Sequence, residues 1–484
     1  MSKAIVLGGG IAGLSAAHYL SKFSGSLFSQ IVLIEGSDRL GGWMESVKTD
    51  NGAIFERGPR SLRAYGKPGV NTIELADELG LESSILAISN RHEAAQNRYV
   101  YAKGQINKMP NGFFNLFRTN APFSQALIWN ILKERNIPAP DPPLSDDSVY
   151  NFISRRVGSE LAEFAADAVF RGIYAGDIRN LSIKSVAPTL FEHEQLHGSV
   201  FRGMIKSRKA GPQCSSRSEL VIRSRKEMWS VWSLKNGIQQ LSETIAESLR
   251  DSNVEIVTEA PCRNITFNDD TKTVKLMTSK GEFEGAHLFS TVPSNILSKI
   301  LPESDLSRTL SKIPFVTVAT LNIEYDGEVL PFKGFGHLVP SIEPSNILGV
   351  IYDSCLFPEH DRTDRPSTRL TVMMGGSWFE EFFGDPDQVS SQHLEQLALQ
   401  ELNNQLGIDK DPLNVQVTIN KDCIAQYNVG HSVILDDAFS YVKDNDLPLS
   451  LLGSSYTGVG VNDCILSSRD EVEKYIETNS GDSQ

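Results

Sequence analysis

The sequence predicts a chain of combined α/β and α+β class, in which a parallel-sheet unit, a helical block and a mixed-sheet region follow one another. Three observations lead there. First, "AIVLGGG", "IAGLSAAHYLSKF" and "QIVLIEGSD" read strand, glycine turn, helix and strand, a βαβ unit of the kind that builds parallel sheets. Second, the period changes to helical from residue 113 to about 205. Val149, Phe152, Ile153, Val157, Leu161, Phe164, Ala165 and Ala168 make one apolar stripe there. Third, strand signals dominate from 313 to 375, in "FVTVATLNIEY", "ILGVIYDS" and "RLTVMMGGSW". A mainly β region after helical blocks indicates a separate α+β domain.

Composition narrows the class. A chain of 484 residues exceeds one ordinary core, and 40 % hydrophobic with 22 % charged residues describes a globular protein. The formal charge of -14 argues against a general nucleic-acid binder, which needs a basic footprint. Cys214, Cys262, Cys355, Cys423 and Cys464 are odd in number and hold no CxxC pair, so buried free thiols are expected rather than a disulfide framework or a metal site. The first strand begins by Lys3 or Ala4, which leaves no room for a cleavable presequence. No stretch reaches the roughly 18 uninterrupted apolar residues of a spanning helix.

Each element then has a local justification. Residues 72 to 82 form a short helix ended by Gly80, and "IPAPDPPLSDDS" is a proline-rich connection whose acidic and serine residues start the next helix. Residues 206 to 227 carry seven basic side chains with little periodicity, either a solvated loop or a contact for anionic lipid. "NGIQQLSETIAESLR" is a helix, and "VEIVTEAPCRNITF" alternates like strands.

Gly8, Gly10 and Gly13 form G-x-G-x-x-G between that first strand and helix. The first glycine permits the turn, the second lets a diphosphate approach the backbone, and the third lets helix and strand pack. The helix N-terminus then faces the phosphates. Glu35 ends the next strand 22 residues beyond Gly13, where an acid accepts hydrogen bonds from an adenosine ribose. NAD and FAD share that half. "EGSDRLGGWMES" adds Arg39 and the pair Gly41-Gly42, a second glycine turn beside a cation, and this resembles the E-x-x-x-R-x-G-G signature of the flavin-dependent amine oxidase superfamily. "NGAIFERGPRSLR" follows at the distance where that superfamily wraps its flavin, and Gly58, Pro59 and Arg60 stand in it. Near the C-terminus "LLGSSYTGVGVNDCILSSRD" reads strand, turn, helix, with Gly458, Val459 and Gly460 at the turn. The amides of that helix start suit negative charge on a reduced ring.

Over nearly its whole length the chain resembles the eukaryotic, oxygen-dependent protoporphyrinogen oxidases. "VLGGGIAGL" and "RLGGW" are shared widely, whereas "AAQNRYVY", "RGIYAGD", "LSIKS", "GFGHLVPS", "VMMGGSW", "QYNVGH" and "SYTGVGVNDCI" are diagnostic. The resemblance implies a Rossmann-like FAD-binding domain made of residues 1–91, 228–300 and 425–484, a helical membrane-binding domain at 92–205, a basic loop at 206–227 and a substrate-binding domain at 301–424. It implies noncovalent FAD, since no flavin-linking cysteine motif is present. Its flavin contacts correspond here to Gly8, Gly9, Gly10, Ile11, Ala12, Gly13, Glu35, Gly36, Arg39, Gly42, Trp43, Gly58, Pro59, Arg60, Ser61, Cys262, Gly458, Val459 and Gly460.

The implied reaction removes six electrons from protoporphyrinogen IX, the penultimate step of haem biosynthesis, while oxygen reoxidises the flavin to give hydrogen peroxide. Arg98 matches the arginine that pairs a substrate propionate, and a guanidinium fork suits a carboxylate. Phe335, Leu338 and Met373 match apolar walls around the tetrapyrrole, and Gly172 matches a glycine whose carbonyl faces the pyrrole nitrogens. Arg171 is either catalytic support or a structural ion pair. His337 and His431 are candidate bases, although packed histidines more often satisfy backbone groups. Trp229, Trp232 and Trp378 read as packing residues.

Residues 113 to 135, with Phe113, Phe114, Phe117, Phe123, Leu127, Trp129 and Leu132 beside Arg118, Lys133 and Arg135, read as an interfacial attachment or a buried helical subdomain. The resemblance favours the first, on the intermembrane-space side of the mitochondrial inner membrane, with ferrochelatase and a second copy of the chain as further partners. Two other functions fit the same motifs: an amine or polyamine oxidase, and a tetrapyrrole carrier with a structural flavin.

Overall fold

The βαβ unit at the N-terminus seeds a five-stranded parallel sheet. In the computed structural model, which describes residues 3–25, 27–209 and 216–480, Lys3–Leu7 lies between Gln30–Ile34 and His287–Ser290. Val254–Val257 and Leu449–Leu451 complete the two edges, so strands from three distant parts of the chain share one sheet. The strands are apolar runs because both faces are covered. Ala4 and Val6 belong to a core beneath the helices Ile11–Phe23, Gln239–Arg250 and Val461–Ser480. Ile5 and Leu7, one residue out of phase, point into a second core against the antiparallel strands from Cys262 to Gly285. The last helix lies on the first, and Ser468 donates to the Ala12 carbonyl at 2.9 Å. The C-terminal turn thereby stands beside the N-terminal glycine turn.

A seven-stranded sheet forms the other half, in the order Asn414–Ala425, Phe315–Asp326, Ser367–Gly376, Ile347–Ile351, Gly336–Leu338, Arg98–Ala102 and Gln105–Lys108. The last two strands fall within 92–205, which the resemblance gives as a helical domain, and they precede residue 113, where the helical period begins. "RYVYA" alternates with period two, and Val100 and Ala102 are buried against the helical region.

The apolar stripe from Val149 to Ala168 is likewise divided. Gly158, at a φ of +98°, ends the helix Val149–Val157, and a π-helical turn at Leu161–Ala166 leads into Asp167–Tyr174. The helices around it are joined by buried charge. The Arg156 Nε lies 2.9 Å from Glu194 and 3.2 Å from Glu134, while its two Nη atoms donate to the carbonyls of Ile137 and Gly198.

The basic segment is a further correction. Val200–Lys209 and Glu219–Lys226 are helices where a loop was expected. Ser218 caps the second by accepting the Val221 amide, Leu220 and Val221 are buried, and Arg223, Arg225 and Lys226 sit in its last turn, the end that a helix dipole favours for cations. The centre of this segment, Cys214 included, lies outside the described residues. Among the described residues no helix is long and apolar enough to cross a membrane.

Candidate active site

Two glycine turns meet at the C-terminal edge of the parallel sheet. Gly8 turns with a φ of +109°, and a Cβ on Gly13 would stand 1.8 Å from the Gly8 carbonyl oxygen, so only glycine fits there. Gly10 starts the first helix with no capping side chain, which leaves the amides of Ile11, Ala12 and Gly13 for an anion. The second turn lies directly opposite. The Gly41 amide donates to the Gly9 carbonyl at 2.8 Å, and a Cβ on Gly42 would be 3.0 Å from the Gly10 Cα. Arg39 braces this turn from within, donating to the carbonyls of Leu40 and Gly42. Glu35 closes the cradle: one carboxylate oxygen accepts the Gly9 amide at 2.6 Å and the other accepts the Ser37 amide and hydroxyl. Gly36 backs onto Pro261, which sets Cys262 near that end, and burial pushes the Cys262 thiol up to about 11. A bare helix start, facing glycines and an acid at one rim fit a dinucleotide.

Beyond the cradle lies a cavity of about 280 Å³ between the two sheets. Trp43, Gly58, Pro59, Arg60 and Val459 line it from the cradle side. Gly172 and Ile173 come from the helix Asp167–Tyr174, and Val318, Thr320, Met373, Asn420, Cys423 and Ile424 come from the seven-stranded sheet. A Cβ on Gly58 would stand 2.1 Å from the Trp43 carbonyl, so that turn is as tightly specified as the first. Arg60, the one charged residue in the described lining, is paired with Asp353 at 3.0 Å. Thr320 and Asn420 both donate to the Arg57 carbonyl, at 2.9 and 3.2 Å, and so fasten the Gly58-Pro59 turn to the sheet. Beside it Glu56 is pushed up to about 7 by burial, against the hydrogen bonds from Ser46 and the Ile238 amide.

The structure therefore brings Trp43, Gly58, Pro59, Arg60, Gly172, Met373 and Val459 around one space. Leu338 stands just behind, with its Cδ2 2.7 Å from where a Cβ on Gly172 would lie. Arg98 is exposed, with its guanidinium 5.9 Å from the Phe335 ring, because Gly336–Leu338 pairs in parallel with Arg98–Val100. Ser61 is half-buried beside Arg60 and outside the lining. Gly458 and Gly460 flank Val459, and the Gly458 amide donates to the Tyr427 hydroxyl at 2.9 Å.

The two candidate histidines are buried in packing contacts, outside the described cavity lining. His337 is buried between the Tyr352 hydroxyl at 2.9 Å and the Gln405 carbonyl at 2.7 Å, and desolvation lowers it to about 4. His431 stacks on Tyr427 at 4.2 Å and is also lowered to about 4 by burial. Arg171 resolves toward structure as well. It donates to the Val339 carbonyl at 2.8 Å beneath Trp378, and desolvation lowers it to about 10. Trp229 and Trp232 are buried in the core.

Thr320 and Asn420 are not singled out from sequence, and Cys423 is read there only as a buried free thiol. Alternation in "FVTVATLNIEY" puts Val318 and Thr320 on one face, a signal that was available. Asn420 and Cys423 become visible only once the bulged pairing of Asn414–Ala425 with Phe315–Asp326 is known.

Comparison with known proteins gives the family and the fold. The family model of flavin-containing amine oxidoreductases matches residues 11–475. The protoporphyrinogen oxidase of Bos taurus is 40 % identical, with 98 % of each chain covered. That of Schizosaccharomyces pombe is 30 % identical, with 97 % of each covered. A crystal structure of an Exiguobacterium sp. 255-15 protein superposes with a TM-score of 0.79 at 24 % identity, covering 99 % of both chains, and supports the fold. FAD is the cofactor, and the bare start of the first helix, the two glycine turns and Glu35 suit its dinucleotide half. The chain is an FAD-dependent oxidoreductase that belongs to the flavin-containing amine oxidoreductase family and, within it, to the protoporphyrinogen oxidases.

Proposed function

We propose that this protein oxidises protoporphyrinogen IX to protoporphyrin IX, with three molecules of oxygen taking the six electrons and leaving as three of hydrogen peroxide. The observation that carries the reading is the cavity itself, walled by cofactor-cradle residues on one side and by Gly172, Ile173 and Met373 on the other. A broad apolar wall with few polar groups suits a tetrapyrrole. FAD, when bound, accepts the hydride of each two-electron step.

The chain supplies position and exclusion. The turns at Gly8–Gly13 and Gly41–Gly42 hold the diphosphate, Glu35 the ribose, and Trp43, Gly58, Pro59, Arg60 and Val459 the ring end. Met373, with Leu338 behind Gly172, fixes the plane of the substrate. Arg98, exposed beside Phe335 and outside the described lining, pairs one propionate in this reading. In this reading the segments 1–91, 228–300 and 425–484 hold the flavin, and 301–424 together with the Arg98–Lys108 hairpin carries the substrate.

The helical region attaches the enzyme to a membrane surface. Phe117, Trp129, Leu132, Leu196 and Ile205 are exposed there, in company with exposed Arg118, Lys133, Arg135, Arg202 and Lys206. Apolar and basic side chains in one region suit an anionic lipid interface. The mitochondrial inner membrane on its intermembrane-space side, ferrochelatase and a homodimer are expectations of the family resemblance. An aerobic assay that follows porphyrin fluorescence and peroxide together tests the function. Three peroxides per porphyrin support it, and porphyrin formation without peroxide overturns the oxidase reading.

A further inference from the structure

Tyr427 is given no role above and lies outside the described lining, yet it touches an element from each side of the cavity, Tyr174 at the end of the helix that carries Gly172 and the turn that precedes Val459. Its ring is buried between Tyr174 at 5.8 Å and His431 at 4.2 Å. Its hydroxyl makes two hydrogen bonds of opposite sense. It donates to the Ser454 carbonyl at 2.7 Å and accepts the Gly458 amide at 2.9 Å. A carbonyl can only accept and an amide can only donate, so both roles of the phenol are fixed. Both partners lie in the turn between Leu449–Leu451 and the last helix. Gly458 has a φ of +145°, and a Cβ there would stand 2.5 Å from the Asp463 Cβ, so only glycine fits at this point of the turn.

The neighbouring residue reaches the opposite wall. Gln426 is buried, and its Nε2 donates to the Tyr174 carbonyl at 2.8 Å, at the end of the helix that carries Gly172 and Ile173. Val459 follows Gly458 in sequence and lines the same cavity as Gly172 and Ile173. Two adjacent side chains on one short segment therefore tie the substrate-side helix and the cofactor-side turn across a single space.

We propose that Tyr427 is a positioning residue for the oxidation: it orients the 458–460 backbone toward the bound flavin, while Gln426 sets the substrate-side wall against that backbone. This rests on the reading that the cavity seats the flavin ring. The amides after Gly458 open the 20-residue helix Val461–Ser480, whose N-terminal end favours negative charge. Releasing the turn weakens that preference and makes reduction harder. Burial holds the Tyr427 phenol well above its ordinary range, which keeps the donor role at working pH.

The test is Tyr427→Phe, which keeps the ring packing and deletes only the hydroxyl, measured by redox titration of the bound flavin and by steady-state kinetics. The expected result is full flavin occupancy, a midpoint potential shifted to more negative values, and kcat lowered about tenfold with KM within about twofold. Gln426→Leu is expected to raise KM for protoporphyrinogen and leave the potential at the wild-type value. A wild-type potential and kcat in Tyr427→Phe, or a loss fully restored by excess FAD, overturns the proposal. If purified wild-type protein holds no flavin, the reading of the cavity fails instead, and the two failures are distinct.

Discussion

Arg60 and Asp353, 293 positions apart, form a buried ion pair at the base of the cavity, with Nη1 3.0 Å from Oδ1 and Asp353 Oδ2 accepting the Thr371 hydroxyl at 2.7 Å. The pair joins the flavin-side turn to the substrate sheet. Asp353→Asn removes the guanidinium's ion-pair partner in a site where both side chains are largely buried. Breaking such a pair costs about 3 kcal/mol or more. Urea unfolding of the holoenzyme is expected to show that loss, accompanied by weaker FAD retention. Stability equal to wild type would mean that water already screens the pair.

Arg98→Ala separates recognition from folding. The side chain is exposed, so stability should change by no more than about 0.5 kcal/mol. A charge-assisted bond to a carboxylate contributes about 1.5 kcal/mol or more, so KM for protoporphyrinogen should rise about tenfold with FAD content unchanged. Unchanged steady-state kinetics would remove Arg98 from the site.

Gly172→Ala adds a methyl 2.7 Å from the Leu338 Cδ2 and 3.3 Å from its Cδ1. The clash is with the end of a flexible side chain, so the fold yields and the cavity wall shifts. The expected effect is a raised KM that the second change Leu338→Ala partly reverses, with a coupling of about 1 kcal/mol in a double-mutant cycle. Strict additivity would show that the two side chains do not share this wall.

Stability should fall on the acid side. Burial lowers the folded-state pKa of His287 to about 3, of His337 and His431 to about 4, and that of His360 below its ordinary value. The unfolded chain therefore takes up more protons than the folded one below pH 6.5, the ordinary histidine value. Their contribution is complete above that pH and is lost as pH falls from about 6.5 toward 4 for His337 and His431 and toward 3 for His287. His337→Gln should reduce the slope of unfolding free energy against pH by up to about 1.4 kcal/mol per unit, one proton's worth. Equal slopes in both proteins would contradict the burial of His337.

What the sequence disclosed was what is encoded locally. The Gly8–Gly13 turn is recognisable because its glycines answer to backbone conformation and close approach within a few positions, whereas Glu35 and the Gly58-Pro59-Arg60 turn are recognised by their spacing from it. Asp353 was not legible as the partner of Arg60, since nothing near either residue announces a contact between separate domains. The Arg98–Lys108 hairpin was grouped with helices because its strands find their sheet only through Gly336–Leu338, more than two hundred residues later. The helix Glu219–Lys226 was hidden by its basic residues, and its buried pair Leu220-Val221 is too short to set a period.

The central claim is that a flavin and a porphyrinogen face one another across the cavity between the two sheets. Anaerobic mixing of the purified holoenzyme with protoporphyrinogen IX, and separately with primary amines and polyamines, tests it most directly. The account predicts that the oxidised flavin spectrum bleaches with protoporphyrinogen, persists with every amine, and returns when air is admitted. Bleaching by an amine, with none by protoporphyrinogen, would contradict it.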